Sequence, residues 1–168
     1  DQAYGDAKSR AGVLDFDDLI EHAQALLQRS DAAPWVLYKL DNGLDHLLVD
    51  ESQDTSPAQW QVVARLAEEF FAGTGTQETP RTIFAVGDEK QSIYSFQGAD
   101  PDSFALSGSE FSARVRDASG RFEPVKLTWS FRSTDDVLSA VDLVFARDEV
   151  RKGLTRDADR LDHKAIRA

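Results

Sequence analysis

Apolar residues recur at helical spacing in three stretches of this chain and run without interruption in two shorter ones. Phe16, Leu19, Ile20, Ala23, Leu26 and Leu27 share one face of a helix predicted from about Phe16 to Leu27, with Asp15 standing where an N-cap belongs. Trp60, Val63, Leu66, Ala67 and Phe70 mark the inner face of a second helix, opened by Thr55-Ser56-Pro57. Val137, Leu138, Val141, Val144 and Phe145 mark a third. The unbroken runs, Leu47 to Val49 and Ile83 to Val86, read as buried strands. Two such strands joined through a helix predict an α/β fold, with a parallel sheet, flanking helices and a right-handed crossover. Gly73 to Pro80 reads as a Gly/Thr-rich loop between them. Beyond Pro101 the pattern predicts a short helix around Phe104, then an irregular polar stretch from Ser107 to Gly120, then a third strand from Val125 to Thr128.

Composition narrows the class. At 168 residues and 41% hydrophobic content the chain has material for a real core, which excludes a disordered protein. It has no apolar stretch near the roughly 20 residues of a membrane helix and no basic-then-apolar leader, so no membrane partner is expected. With no cysteine, and with His22, His46 and His163 scattered along the chain, disulfides, thiolate sites and zinc drop out. Magnesium carried by a nucleotide is the metal that remains. The sequence has no methionine, even at position 1, and is read as a piece of a longer protein. Its net charge of -11 argues against broad binding to phosphate backbones, so contact with nucleic acid is expected to be local. Residues 147–168 hold seven Lys/Arg against five Asp/Glu, which reads as a solvated end.

The chemistry concentrates at the end of the first apolar run, Leu47-Leu48-Val49-Asp50-Glu51-Ser52-Gln53-Asp54-Thr55. Paired acids at a strand end suit a Mg²⁺-nucleotide, Asp50 to hold the metal and Glu51 to activate water. Taken alone, the pair reads more readily as a strand ending in solvated acids. Asp15-Phe16-Asp17-Asp18-Leu19 also gathers three acids, but an N-cap with first-turn acids explains it without a metal.

Two further segments change the balance: Ile83-Phe84-Ala85-Val86-Gly87-Asp88-Glu89-Lys90-Gln91-Ser92-Ile93-Tyr94-Ser95-Phe96-Gln97-Gly98-Ala99-Asp100 and Leu127-Thr128-Trp129-Ser130-Phe131-Arg132-Ser133. In this order and spacing, the three segments resemble motifs II, III and IV of the UvrD/Rep group of superfamily 1 DNA helicases. Within that group Val86 to Asp100 and Leu127 to Ser133 look closest to the AddA/RecB helicase-nuclease subunits. The Asp-Phe-Asp-Asp-Leu segment is similar to one that precedes motif II in the same group. The resemblance covers roughly residues 13 to 147.

It implies a RecA-like parallel sheet flanked by helices, as an incomplete fragment of a two-domain motor that uses ATP and Mg²⁺. By resemblance, Asp50 holds the Mg²⁺, Glu51 is the general base, Gln91 senses the γ-phosphate and Arg132 neutralises its developing charge. Phe131 occupies the position of a tyrosine that stacks on adenine, and phenylalanine keeps the π-face. Tyr94 and Phe96 occupy positions in the single-stranded DNA channel, where aromatic faces hold bases without regard to sequence. Gln97 departs from the arginine common in single-subunit relatives, removing one positive contact. No Gly-x-x-x-x-Gly-Lys-Ser/Thr phosphate loop occurs, and motifs V and VI are missing, so the chain alone is expected to be inactive.

The implied division is 1–12 as the end of an inserted helical subdomain, 13–106 as the later part of the first RecA-like domain, 107–123 as a connection, and 124–168 as the start of the second. The implied partners are single- and double-stranded DNA and a second helicase-nuclease subunit, in the bacterial cytoplasm at the nucleoid. Two alternatives stay open: a single-chain UvrD-like repair helicase, and a non-hydrolysing relative serving as a DNA-binding scaffold.

Overall fold

The computed structural model describes residues 2–29, 31, 33–41, 44–71, 81–93, 98–151 and 163–166. The expected loop at 73–80 lies outside them. The chain divides into two compact units, Asp1–Gly120 and Arg121–Ala168.

In the first unit, helices α1 (Gln2–Ala11), α2 (Phe16–Gln28) and α3 (Ala33–Asp41) precede strand β1 (His46–Val49). Helix α4 (Pro57–Leu66), strand β2 (Thr82–Ala85) and helix α5 (Pro101–Asp117) follow. The strands pair in parallel, with His46 opposite Thr82, Leu47 opposite Ile83, Leu48 opposite Phe84 and Val49 opposite Ala85. The parallel α/β arrangement is thus as the apolar runs predict. The strands are less buried than expected, however: Leu48 is 74% exposed and Phe84 across from it is exposed too, while Leu47 and Val49 are half-buried. A two-stranded sheet shields one side of its pleat, and the alternating side chains on the other remain outside.

Helices α2, α3 and α4 pack on one another, and α5 packs on α4 and on the turn that follows β1. Trp60 of α4 is the hub of this layer, 5% exposed, with the Phe104 and Phe111 rings of α5 centred 6.3 and 6.2 Å away. Phe71 adds a contact to Phe111 at 6.1 Å. This packing corrects the expectation of an irregular stretch from Ser107: α5 continues to Asp117. Phe104 and Phe111 are two helical turns apart, so both reach α4 only if the polar Ser107-Gly108-Ser109 segment between them is helical. Burial of the two rings outweighs the weak helix propensity of those residues. Asp100 caps α5, accepting from the Asp102 N–H at 3.0 Å and the Ser103 hydroxyl at 2.9 Å.

On α2 the expected apolar face is only partly covered. Leu27 is buried and Ile20 and Ala23 are half-buried, whereas Phe16, Leu19 and Leu26 are exposed. Asp15 is the N-cap, accepting from the Asp18 N–H at 3.0 Å while the Asp18 carboxylate accepts from the Asp15 N–H at 3.0 Å. The acids of this segment therefore do capping work. Among the described residues no group of three or more potential ligands can hold a metal ion.

The same two carboxylates clasp α1. Lys8 Nζ lies 2.7 Å from Asp15 Oδ2 and 2.7 Å from both Asp18 oxygens, and the Tyr4 hydroxyl donates to Asp15 at 3.0 Å. The Lys8 hydrogen bonds, then the cap N–H groups, hold both carboxyls below their usual range, and the two acids hold the Lys8 ammonium above its own. A carboxyl depressed by folding contributes stability above its unfolded value of about 3.9, lost as pH falls through the lower folded value. The docking of α1 is therefore expected to loosen below about pH 4, and more readily in high salt because the pairs are partly exposed. NMR of the α1 amides checks this, and Lys8→Ala is expected to remove most of the pH dependence.

In the second unit, strand β3 (Trp129–Ser130) pairs in parallel with β4 (Lys164–Ala165), and helices α6 (Asp135–Val144) and α7 (Asp148–Arg151) lie between them in sequence. The strand expected at Val125 to Thr128 is displaced to Trp129–Ser130. Strand structure needs a partner, and β4 reaches only that far; Val125 and Leu127 stay exposed. Of the apolar face of α6, Leu138 is buried and Phe145, its C-cap, is half-buried, while Val137, Val141 and Val144 are exposed. His163 Nδ1 lies 2.5 Å from an Asp142 oxygen, and the His163 N–H donates to the other at 3.1 Å, fastening β4 to α6. No helix among the described residues is long and apolar enough to cross a membrane.

Candidate active site

Strand β1 ends at Val49, and the chain turns at once. Asp50 is exposed and its Oδ1 accepts the Glu51 N–H at 2.9 Å. Glu51 adopts the left-handed conformation, φ 48° and ψ 45°, which costs a residue with a Cβ about 1–2 kcal/mol. Its surroundings hold it there. The Asp54 N–H donates to the Glu51 carbonyl at 2.9 Å, closing a single helical turn over Ser52–Asp54. Ser52 is fully buried, its N–H donating to the Val86 carbonyl at 3.0 Å and its hydroxyl to the Val49 carbonyl at 3.2 Å. The turn after β1 is thereby stitched to the end of β2.

Gln53 is the surprise of the site. The most voluminous fully buried side chain among the described residues is this amide, 1% exposed. Its Nε2 donates to Glu51 Oε2 at 2.8 Å, and its Oε1 accepts the Asp88 N–H at 2.9 Å. Gly87 makes room for it: a Cβ there would stand 2.8 Å from Gln53 Oε1 and 3.1 Å from Ser52 Cβ.

Asp88 continues the connection. It caps the short turn Glu89–Gln91, its Oδ1 accepting the Lys90 N–H at 3.1 Å and lying 2.6 Å from Lys90 Nζ, while its Oδ2 accepts from Gln91 Nε2 at 3.0 Å. Burial pushes the Asp88 carboxyl up, but the hydrogen bonds from Lys90 and Gln91 outweigh it and leave the group below its ordinary value. Glu51 and Gln91 are therefore joined through Gln53 and Asp88 by an unbroken run of hydrogen bonds.

Of the residues singled out in the sequence, Asp50, Glu51 and Gln91 stand together at the ends of the two paired strands of the first unit. Phe131 and Arg132 belong to the second unit, in the turn after β3, both exposed, Phe131 at 69%. There the Ser133 N–H donates to the Ser130 hydroxyl at 3.4 Å. Tyr94 and Phe96, with Gln97, lie outside the described residues. Gln53, Gly87 and Asp88 carry no assigned role in the sequence pattern. A glutamine amid three acids gives no sign that its side chain turns inward.

The family model for the UvrD/REP helicase N-terminal domain matches residues 1–112. The chain is 33% identical over 147 residues to an ATP-dependent helicase/nuclease subunit of Natranaerobius thermophilus, covering 88% of this chain and 10% of that protein. It is 37% identical over 139 residues to the ATP-dependent helicase/nuclease subunit of the same name in Staphylococcus carnosus, covering 82% and 10%. It is also 35% identical over 136 residues to ATP-dependent DNA helicase Rep of Escherichia coli, covering 81% and 17%. The chain thus spans less than a fifth of the length of these curated relatives.

Proposed function

This chain belongs to the UvrD/Rep helicase family, and on that premise we propose that it is the middle of an ATP-driven DNA motor, carrying the water-activating part of the hydrolytic site. The observation that carries the reading is the hydrogen-bonded run from Glu51 to Gln91, which joins the proposed base to the proposed γ-phosphate sensor. The first RecA-like domain runs in this reading from residue 13 through α5, which carries it past the 106 boundary expected from the sequence, and residues 124–168 open the second.

Glu51 accepts a proton from the attacking water, and its strained backbone holds the side chain at the strand end, where a nucleotide sits in such sheets. Asp50 fits a magnesium ion: its carboxylate is exposed, and it forms no ion pair among the described residues. Mg²⁺ brought with ATP would neutralise charge on the β- and γ-phosphates. Gln91 offers an amide to the γ-phosphate oxygens, and Arg132, exposed in the second unit, has the planar fork that suits a phosphate charge. Phe131, exposed beside it, offers a face to the adenine.

The bound polymer is DNA, gripped as a single strand against Tyr94 and Phe96 and fed from a duplex. The narrower reading is an AddA-type subunit working with a second helicase-nuclease subunit in double-strand break repair, supported by the likeness to the two helicase/nuclease subunits. A plain UvrD-like helicase is separated from it by whether the full-length protein carries a nuclease domain.

The test is strand separation by the full-length protein on a duplex with a single-stranded tail. Unwinding is expected with ATP and Mg²⁺ and not with a non-hydrolysable analogue; unwinding without hydrolysis would contradict a motor. Arg132→Lys is expected to lower ATP turnover at least about tenfold, because an ammonium keeps the charge but loses the bidentate geometry. Steady-state turnover checks it.

A further inference from the structure

We propose that Gln53 is a positioning residue for hydrolysis, which fixes the Glu51 carboxylate in register with the turn that carries Gln91. This rests on Glu51 being the general base and gives the residue that links Glu51 to the Gln91 turn a role in the chemistry.

Three observations carry the inference. First, Gln53 is buried to 1% exposure, yet both ends of its amide are engaged, by the Asp88 N–H at 2.9 Å and by Glu51 Oε2 at 2.8 Å. A buried amide held at both ends has one orientation, so it is a rigid donor. Second, Glu51 is exposed, and an exposed glutamate samples several rotamers unless something selects one. The bond from Gln53 makes that selection and directs one carboxylate oxygen, leaving the other to meet water. Third, Gly87 is the space Gln53 needs, since any Cβ there comes within 2.8 Å of its Oε1. Asp88 in turn receives Gln91 Nε2 at 3.0 Å. A shift of the Gln91 turn therefore moves the acceptor end of Gln53, and with it the donor that orients Glu51.

The experiment is a double-mutant cycle in the full-length helicase, read as single-turnover ATP hydrolysis on saturating single-stranded DNA beside equilibrium ATP binding. Gln53→Met keeps the length of the side chain and removes both hydrogen bonds. It is expected to slow hydrolysis by roughly ten- to a hundredfold with ATP affinity within about twofold. In a Glu51→Gln background the same change is expected to cost less than about twofold, because the carboxylate it serves is gone. If Gln53 is merely structural, hydrolysis falls by the same factor in both backgrounds, and the proposal is overturned. Should Gln53→Met fail to fold, Gly87→Ala takes its place in the cycle, because it keeps Gln53 and displaces it. The two readings fail differently. Glu51→Gln alone leaving hydrolysis within about tenfold removes the general base, whereas a large Glu51→Gln effect with fully multiplicative losses removes only the role of Gln53.

Discussion

Replacing Glu51 with glutamine in the full-length protein is expected to slow ATP hydrolysis by roughly 10²- to 10⁴-fold while ATP binding changes little. The amide matches the carboxylate in shape and still offers an oxygen to the Gln53 Nε2 that sits 2.8 Å from Glu51 Oε2. It cannot accept the proton of the attacking water. Binding and chemistry therefore separate: single-turnover hydrolysis collapses, and a fluorescent ATP analogue binds as before. A loss under about tenfold, only about 1.4 kcal/mol of barrier, would remove Glu51 from the role.

The largest effect on stability is expected at Trp60. Its ring is buried and meets both Phe104 and Phe111, so Trp60→Ala leaves a cavity between α4 and α5 and is expected to cost about 3–5 kcal/mol. Native domains are stable by only about 5–15 kcal/mol, so the first unit should lose much of its cooperative transition. Trp60→Phe should cost far less, because the buried indole N–H has no hydrogen-bond partner among the described residues and its loss strands nothing there. Urea denaturation followed by far-UV circular dichroism compares the two variants with the parent chain. Equal midpoints for Trp60→Ala and the parent would show that α5 does not depend on this contact.

Where local pattern and tertiary packing agree, the sequence is legible. The capped helix at Phe16, the helix at Pro57 and the parallel pairing of Leu47–Val49 with Ile83–Ala85 all follow from periodicity and turn chemistry. Where a distant contact decides, it is not. Ser107-Gly108-Ser109 reads as a break, but two phenylalanines seven residues apart need a helix between them to reach Trp60. The β3 strand shifted because its partner, β4, is two residues long and leaves no periodic signature.

The site divides in the same way. Asp50 and Glu51 stand out as paired acids at the end of an apolar run, Gln91 only through the resemblance to the helicase motifs, and the paired strands bring the segments that carry them side by side. Gln53 is visible only in three dimensions, since a glutamine between acids reads as solvated until its amide is found buried with Asp88 against Gly87. Its inward turn follows from the left-handed Glu51, a backbone state that residue type alone does not announce.

The proposed coupling of ATP hydrolysis to single-stranded DNA belongs to the full-length protein, and its steady-state ATP turnover against increasing single-stranded DNA tests that coupling most directly. Turnover is expected to rise at least about tenfold to a plateau, with Glu51→Gln flat at every DNA concentration, since a lost base is worth about 10² or more. Turnover that ignores DNA, or persists undiminished in Glu51→Gln, contradicts the account.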